Sequence, residues 1–207
     1  MKSYIDELDR NIFNFVEYEG YDDRYPSLSM QAFSSDFYDE IRHASRRLFQ
    51  IFCKAAKVFQ MAPDDFARNM DMPDNLIPYL HKSNALGLPT WLSRFDFVLD
   101  VNGNLRMVEL NADTPCFLIE SYYANEVAAN YVGRKHPNIE CRKELHTFLK
   151  RMYDAVLSAK YGRNQYESMR ANRESLPKDP FVFSCFHDYF EDYGTTQFLM
   201  KELKTAC

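Results

Sequence analysis

Two short runs near the middle of the chain hold the residue types that bind cations and anions. The first is Arg94-Phe-Asp-Phe97 and the second Glu109-Leu-Asn-Ala-Asp-Thr-Pro115. Between them, Val101-Asn-Gly-Asn104 is flanked by alternating apolar residues, the strongest short-range signal for a hairpin with a two-residue turn. With Asn102-Gly103 as that turn, the register can be written down directly. Val101 pairs with Asn104, Leu99 with Arg106, Phe97 with Val108 and Phe95 with Leu110 on a mostly apolar face. The opposite face pairs Val98 with Met107, Asp96 with Glu109 and Arg94 with Asn111.

Directly opposed carboxylates, about 5 Å apart, repel each other. A shared proton, the neighbouring Arg94 or a bound cation can each offset that repulsion. Asp, Glu and Asn oxygens suit Mg²⁺, which is commonly held by one or two carboxylates with phosphate and water completing its shell. Arg94 adds a planar fork matched to a carboxylate or phosphate. The plainer alternative is a solvated hairpin face on which Arg94 bridges two exposed acids. Against it stands the turn Ala112-Asp-Thr-Pro115, which leads into a helix from Phe117 and brings hydroxyl and backbone N–H groups towards the carboxylates.

The elements that must position these residues follow from periodicity. Apolar residues at helical spacing from Ser34 to about Phe59 (Phe37, Ile41, Ala44, Leu48, Phe52, Ala55, Phe59) predict an amphipathic helix capped by Ser34 or Ser35. Met61-Ala-Pro-Asp-Asp65 opens a short second helix, and the two prolines of Met72–Pro78 break the pattern. Period two over Trp91–Asp100 and Leu105–Asn111 predicts the two strands. Helices are expected over Phe117–Val132 and Arg142–Leu157, a short buried strand over Phe181–Phe186 and a closing helix over Thr195–Lys204. The fold class is therefore mixed α/β, with a mainly helical region 1–90 and an α/β region 91–207 forming one compact domain.

Composition excludes several classes. With 46% hydrophobic and 15% aromatic residues and six glycines in 207, the chain is an ordered globular protein. A net charge of −5 and broken basic runs argue against nucleic acid; the Arg163–Arg173 run reads as a solvated helix face. No run approaches the ~20 apolar residues of a membrane span, and the start lacks a signal-peptide pattern, so the expected location is the cytoplasm. Five scattered cysteines without CxxC and five histidines without HExxH suggest neither a disulfide framework nor a zinc enzyme.

Arg94-Phe-Asp-Phe97, then Glu109-Leu-Asn-Ala-Asp-Thr-Pro115, then a helix bearing Glu120, resembles the glutathionylspermidine synthase family, which includes single-domain acid–amine ligases. The resemblance implies an ATP- and Mg²⁺-dependent carbon–nitrogen ligase of the ATP-grasp type. Such enzymes activate a carboxylate as an acyl phosphate that an amine then displaces. Carried over residue by residue, it implies Mg²⁺ on Asp96, Glu109 and Asn111, and a catalytic Arg94 that contacts the acid and the developing charge.

More weakly, Phe181-Val-Phe, Phe190-Glu-Asp192 and Gln197-Phe198 resemble the family's polyamine-holding strand and acidic turn. On that reading Glu191 and Asp192 attract a cationic amine; as helix-start acids they would instead complement a dipole. Thr114 and Cys116 stand where the family places its thiol-peptide turn, which is serine-rich in the better-known synthases. No histidine sits close to Cys116 in sequence, which favours a plain buried or helix-end thiol over a nucleophile.

No residue here is assigned to the nucleotide, because no glycine-rich phosphate cradle occurs. The resemblance thus implies the N-terminal, pre-ATP-grasp portion of a synthase, lacking the ATP-grasp part and inactive alone. Expected partners are a small acid or thiol peptide and an amine or polyamine, with self-association or pairing with a missing C-terminal half. A non-catalytic binding or assembly module built on the same fold is the alternative.

Overall fold

A computed structural model describes residues 3–17, 25–87, 90, 92–112, 115–172, 176, 181–186 and 188–207. Their contacts divide the chain into two compact units, Gln31–Pro115 and Met1–Met30 with Cys116–Cys207. The fold class is mixed α/β: helices and one two-stranded antiparallel sheet.

The unit Gln31–Pro115 begins with helix α1, Ser35–Met61, whose first turn is closed by the Ser34 hydroxyl accepting from Phe37 N at 3.2 Å. That is the expected cap, satisfying an amide that has no partner within the helix. Helix α2, Asp64–Asn69, follows the Pro63 break as expected. Helix α3, Ile77–Leu86, begins at the end of the proline-interrupted stretch, within the region expected to be mainly helical. Pro78 sits in its first turn, where a missing N–H costs nothing, and Gly87 ends it at φ 62°. Strands β1, Arg94–Leu99, and β2, Leu105–Asn111, complete the unit. The apolar hairpin face meets α1 through Phe95, whose ring lies 5.9 Å from that of Phe52. The helical segment before residue 90 and the hairpin after it thus share one unit.

The hairpin register differs from expectation at its tip and agrees at its base. Asp100 N donates to Asn104 O at 2.9 Å and Gly103 N to Asp100 O at 2.9 Å, with Gly103 at φ 79°. The loop is therefore three residues, Val101–Gly103, with glycine taking the left-handed position such loops need. Leu99 consequently pairs with Leu105, Val98 with Arg106 and Phe97 with Met107. Left alone, that one-residue slip would turn Glu109 to the face opposite Asp96. A bulge on β2, with Val108 as the extra residue, cancels the slip and restores Asp96 opposite Glu109 and Arg94 opposite Asn111.

The other unit has a core of Tyr4, Leu8, Phe13, Phe15 and Val16 packed with Ile119, Ala124, Leu145, Leu149, Phe198 and Leu203. Its helical part opens with a π-helical segment, Ile119–Ala124, running into α4, Asn125–Tyr131, where one α-helix was expected. Just before it, Phe117 has φ 78°, a strained value for a large side chain. Helices α5, Ile139–Tyr161, and α6, Arg163–Ala171, follow; α6 carries Arg163 and Arg170 of the basic run and exposes both. The expected strand over Phe181–Phe186 is absent. Phe181 stacks on Tyr153 at 5.4 Å, yet Val182 is 95% exposed. The alternation is present, but among the described residues no neighbouring strand accepts its ladder. Helix α7, Phe190–Ala206, starts five residues before the predicted closing helix. Among the described residues no helix is long and apolar enough to cross a membrane.

Candidate functional site

On the hairpin, the four residues Arg94, Asp96, Glu109 and Asn111 form one connected network. Arg94 Nε donates to Asp96 Oδ1 at 2.7 Å and Nη2 to Oδ2 at 3.0 Å, a bidentate fork. Asn111 Nδ2 donates to Glu109 Oε1 at 2.7 Å and lies 3.4 Å from Asp96 Oδ2. Arg94 Nη2 is also 3.9 Å from Glu109 Oε1. Two acids face each other because one cation and one amide stand between them. The Arg94 fork holds the Asp96 carboxyl below its ordinary value of 3.8.

The base of the hairpin is pinned from outside the strands. The Thr90 hydroxyl donates to Ala112 O at 3.0 Å, just beyond Asn111. Sequence reasoning missed Thr90, since a lone threonine before a strand carries no spacing signal. At the tip, Asp100 accepts from Asn102 N, Asn104 N, the Asn104 amide and Arg106 Nε, which together hold its carboxyl below the ordinary value. The tip is thus rigid enough to keep the shifted register.

Among the described residues no three His, Cys, Asp or Glu side chains gather into a metal cage. The hairpin instead offers two carboxylates and one carboxamide. Asn111 turns its NH₂ to both acids, so its carbonyl oxygen can join a cation held by them only after the amide rotates. This all-oxygen set suits a hard cation that takes its remaining ligands from phosphate and water. Arg94 now occupies both Asp96 oxygens, so a divalent ion there must displace the guanidinium. The donors fit Mg²⁺ on these two conditions.

Three of the remaining candidates, Cys116, Glu191 and Asp192, lie in the other unit. Asp192 stands with Glu191 in the first turn of α7, where both complement the helix dipole. Cys116 Sγ is 3.5 Å from Asp192 Oδ1. That neighbour is a carboxylate, not the imidazole or cation that activates a thiol nucleophile. Thr114 lies outside the described residues. The Tyr25 hydroxyl donates to Glu120 Oε1 at 2.9 Å, within the π-helical segment.

A second polar group had no signature in the sequence. Glu202, 2% exposed, receives Arg142 Nη2 at 2.7 Å and meets His146 Nε2 at 2.5 Å, while Arg142 also reaches Glu126 at 3.0 Å. Its members come from three helices, and no local spacing announces their meeting.

The family model described as glutathionylspermidine synthase preATP-grasp matches residues 4–206. Comparison with curated proteins and with solved structures returned no match. The match spans nearly the whole chain, including both runs from which the hairpin network is built, and the chain belongs to the glutathionylspermidine synthase preATP-grasp family.

Proposed function

We propose that this chain is the acid- and metal-binding part of an ATP- and Mg²⁺-dependent acid–amine ligase. The observation that supports it is the joined set Arg94, Asp96, Glu109 and Asn111 on one hairpin face, in a chain of this family. When bound, Mg²⁺ would neutralise phosphate and carboxylate charge at this face. Asp96 and Glu109 would supply carboxylate oxygens and Asn111 its carbonyl oxygen. Arg94, released from Asp96, is already aimed along the same face and would hold the substrate carboxylate or a phosphoryl oxygen as charge grows there. Glu191 and Asp192 would draw the cationic amine. Cys116 and Thr114 would contact the acid or thiol peptide. The matched family part precedes the ATP-grasp region, so nucleotide binding is assigned to no residue here, and the 207 residues alone are expected to release no ADP.

The test is thermal unfolding of the purified chain with and without Mg²⁺. Millimolar Mg²⁺ should raise the midpoint in the wild type but not in Asp96→Asn or Glu109→Gln. Arg94→Gln should strengthen the Mg²⁺ response, because it removes the resident cation. A Mg²⁺ response of equal size in all four proteins would rule out the hairpin as the metal site.

One observation favours the second reading, a non-catalytic assembly module. Val98, Leu99 and Val108 are each more than half exposed on the outer hairpin. Concentration-dependent oligomerisation lost in Val98→Lys, with no Mg²⁺ response, would select it.

A further inference from the structure

One stripe of α1, the end of α3 and the hairpin base enclose a groove of about 720 Å³. Small-molecule sites span roughly 300–1,000 Å³, so this is a ligand-sized space. Its α1 wall runs from Phe49 to Gln60, about 16 Å of helix, and suits an elongated body. The wall is apolar along Phe49, Phe52, Ala56 and Leu110, and the Phe52 ring is steadied by Phe95. At the rim stand Lys57, Gln60 and Asn84, whose side chains enter no hydrogen bond or ion pair among the described residues. Among the described residues no acid lines the groove, although the chain has 30 acidic residues against 25 Lys and Arg. Among the described lining residues the one full charge presented to a guest is the positive charge of Lys57. At the α3 end a Cβ at Gly87 would meet nothing within 4 Å among the described residues.

We propose that this groove binds a small organic anion with an aromatic or extended apolar body. The body lies along Phe49 and Phe52, the anionic group pairs with Lys57, and the Gln60 and Asn84 amides serve its remaining acceptors. Leu110 alternates with Asn111 along β2, so the groove uses the hairpin face away from Asp96 and does not depend on metal bound there.

The test titrates the full chain with anilinonaphthalene sulfonate, an aromatic anion, and with its uncharged twin phenylnaphthylamine, both followed by fluorescence. Each should saturate at one site. Lys57→Met should weaken the anion about five- to tenfold and leave the neutral probe unchanged, as expected for loss of one charge-assisted contact. Ala56→Trp, at an exposed helix position, should weaken both. In the wild type the anion should slow iodoacetamide alkylation of Cys53, which lines the groove and is read by peptide mass. Asp96→Asn should leave both affinities unchanged, separating this site from the hairpin metal. Non-saturating binding, an unchanged anion affinity in Lys57→Met, or unprotected Cys53 would each overturn the proposal.

Discussion

Glu202→Gln removes the charge at the centre of the buried cluster while keeping the side-chain volume. Glu202 is 2% exposed and accepts from Arg142 Nη2 at 2.7 Å, from Arg142 Nε at 3.3 Å and from His146 Nε2 at 2.5 Å. Breaking a buried ion pair costs about 3–5 kcal/mol when the orphaned partner stays dry. Here the partners are 37% and 30% exposed, and Arg142 keeps Glu126. Water therefore reaches them, and the cost falls to about 2–3 kcal/mol. For a chain of this length that is a midpoint drop of about 5–10 °C.

The pH dependence adds a second signature. Burial pushes the Glu202 carboxyl up, but the hydrogen bonds and charges of Arg142 and His146 outweigh it and leave it below the ordinary 4.5. A depressed carboxyl stabilises the fold fully above its unfolded value and loses that contribution as pH falls through the folded value. The Glu202→Gln penalty should thus be complete at neutral pH and shrink below pH 4.5. Urea unfolding at stepped pH measures it, with Glu126→Gln as the control. Glu126 is 39% exposed, so that change should cost under about 1 kcal/mol. Equal penalties for the two variants at neutral pH, or a Glu202→Gln penalty that persists unchanged in acid, would refute the reasoning.

Gly194→Ala should destabilise despite alanine's better helix propensity. The new Cβ would stand 2.8 Å from Asn14 Oδ1, 3.0 Å from Ile119 Cδ1 and 3.1 Å from Phe15 Cε1, against side chains that are almost wholly buried at Ile119 and Phe15. Overpacking of about 1–3 kcal/mol exceeds the propensity gain of about 1 kcal/mol, and denaturant unfolding reads the net. His136 is buried with no hydrogen bond at either ring nitrogen; burial lowers its pKa, Glu126 raising and Arg142 further lowering it. The unfolded chain therefore takes up the proton first, so stability should be complete above pH 6.5 and decline below it, by at most about 1.4 kcal/mol per pH unit. His136→Leu should flatten that slope. Asp100→Ala removes the acceptor for four donors at the hairpin tip and should raise amide hydrogen exchange at Asn102 and Asn104 while the Asp96 end stays protected.

Local features were legible in the sequence because they depend on residues close in the chain. The Ser34 cap, the α1 stripe and the period-two strands follow from side-chain spacing, and the family followed from two short runs. The juxtaposition of Asp96 with Glu109 was also legible, but through two offsetting departures from the simple hairpin. An Asn-Gly pair does not say whether the residue before it joins the loop, and a bulge such as Val108 has no reliable local signature. The reading failed where tertiary partners decide. Phe181–Phe186 alternates like a strand and has none to pair with among the described residues.

The sequence by itself determined the residue types at the hairpin face, their order and their family, because those lie in the covalent chain. Only the tertiary structure decided that Arg94 occupies Asp96, that Cys116 meets Asp192 and that Glu202 is buried against Arg142 and His146. Each of these depends on where a side chain points or on packing between distant segments, and neither is encoded in local spacing.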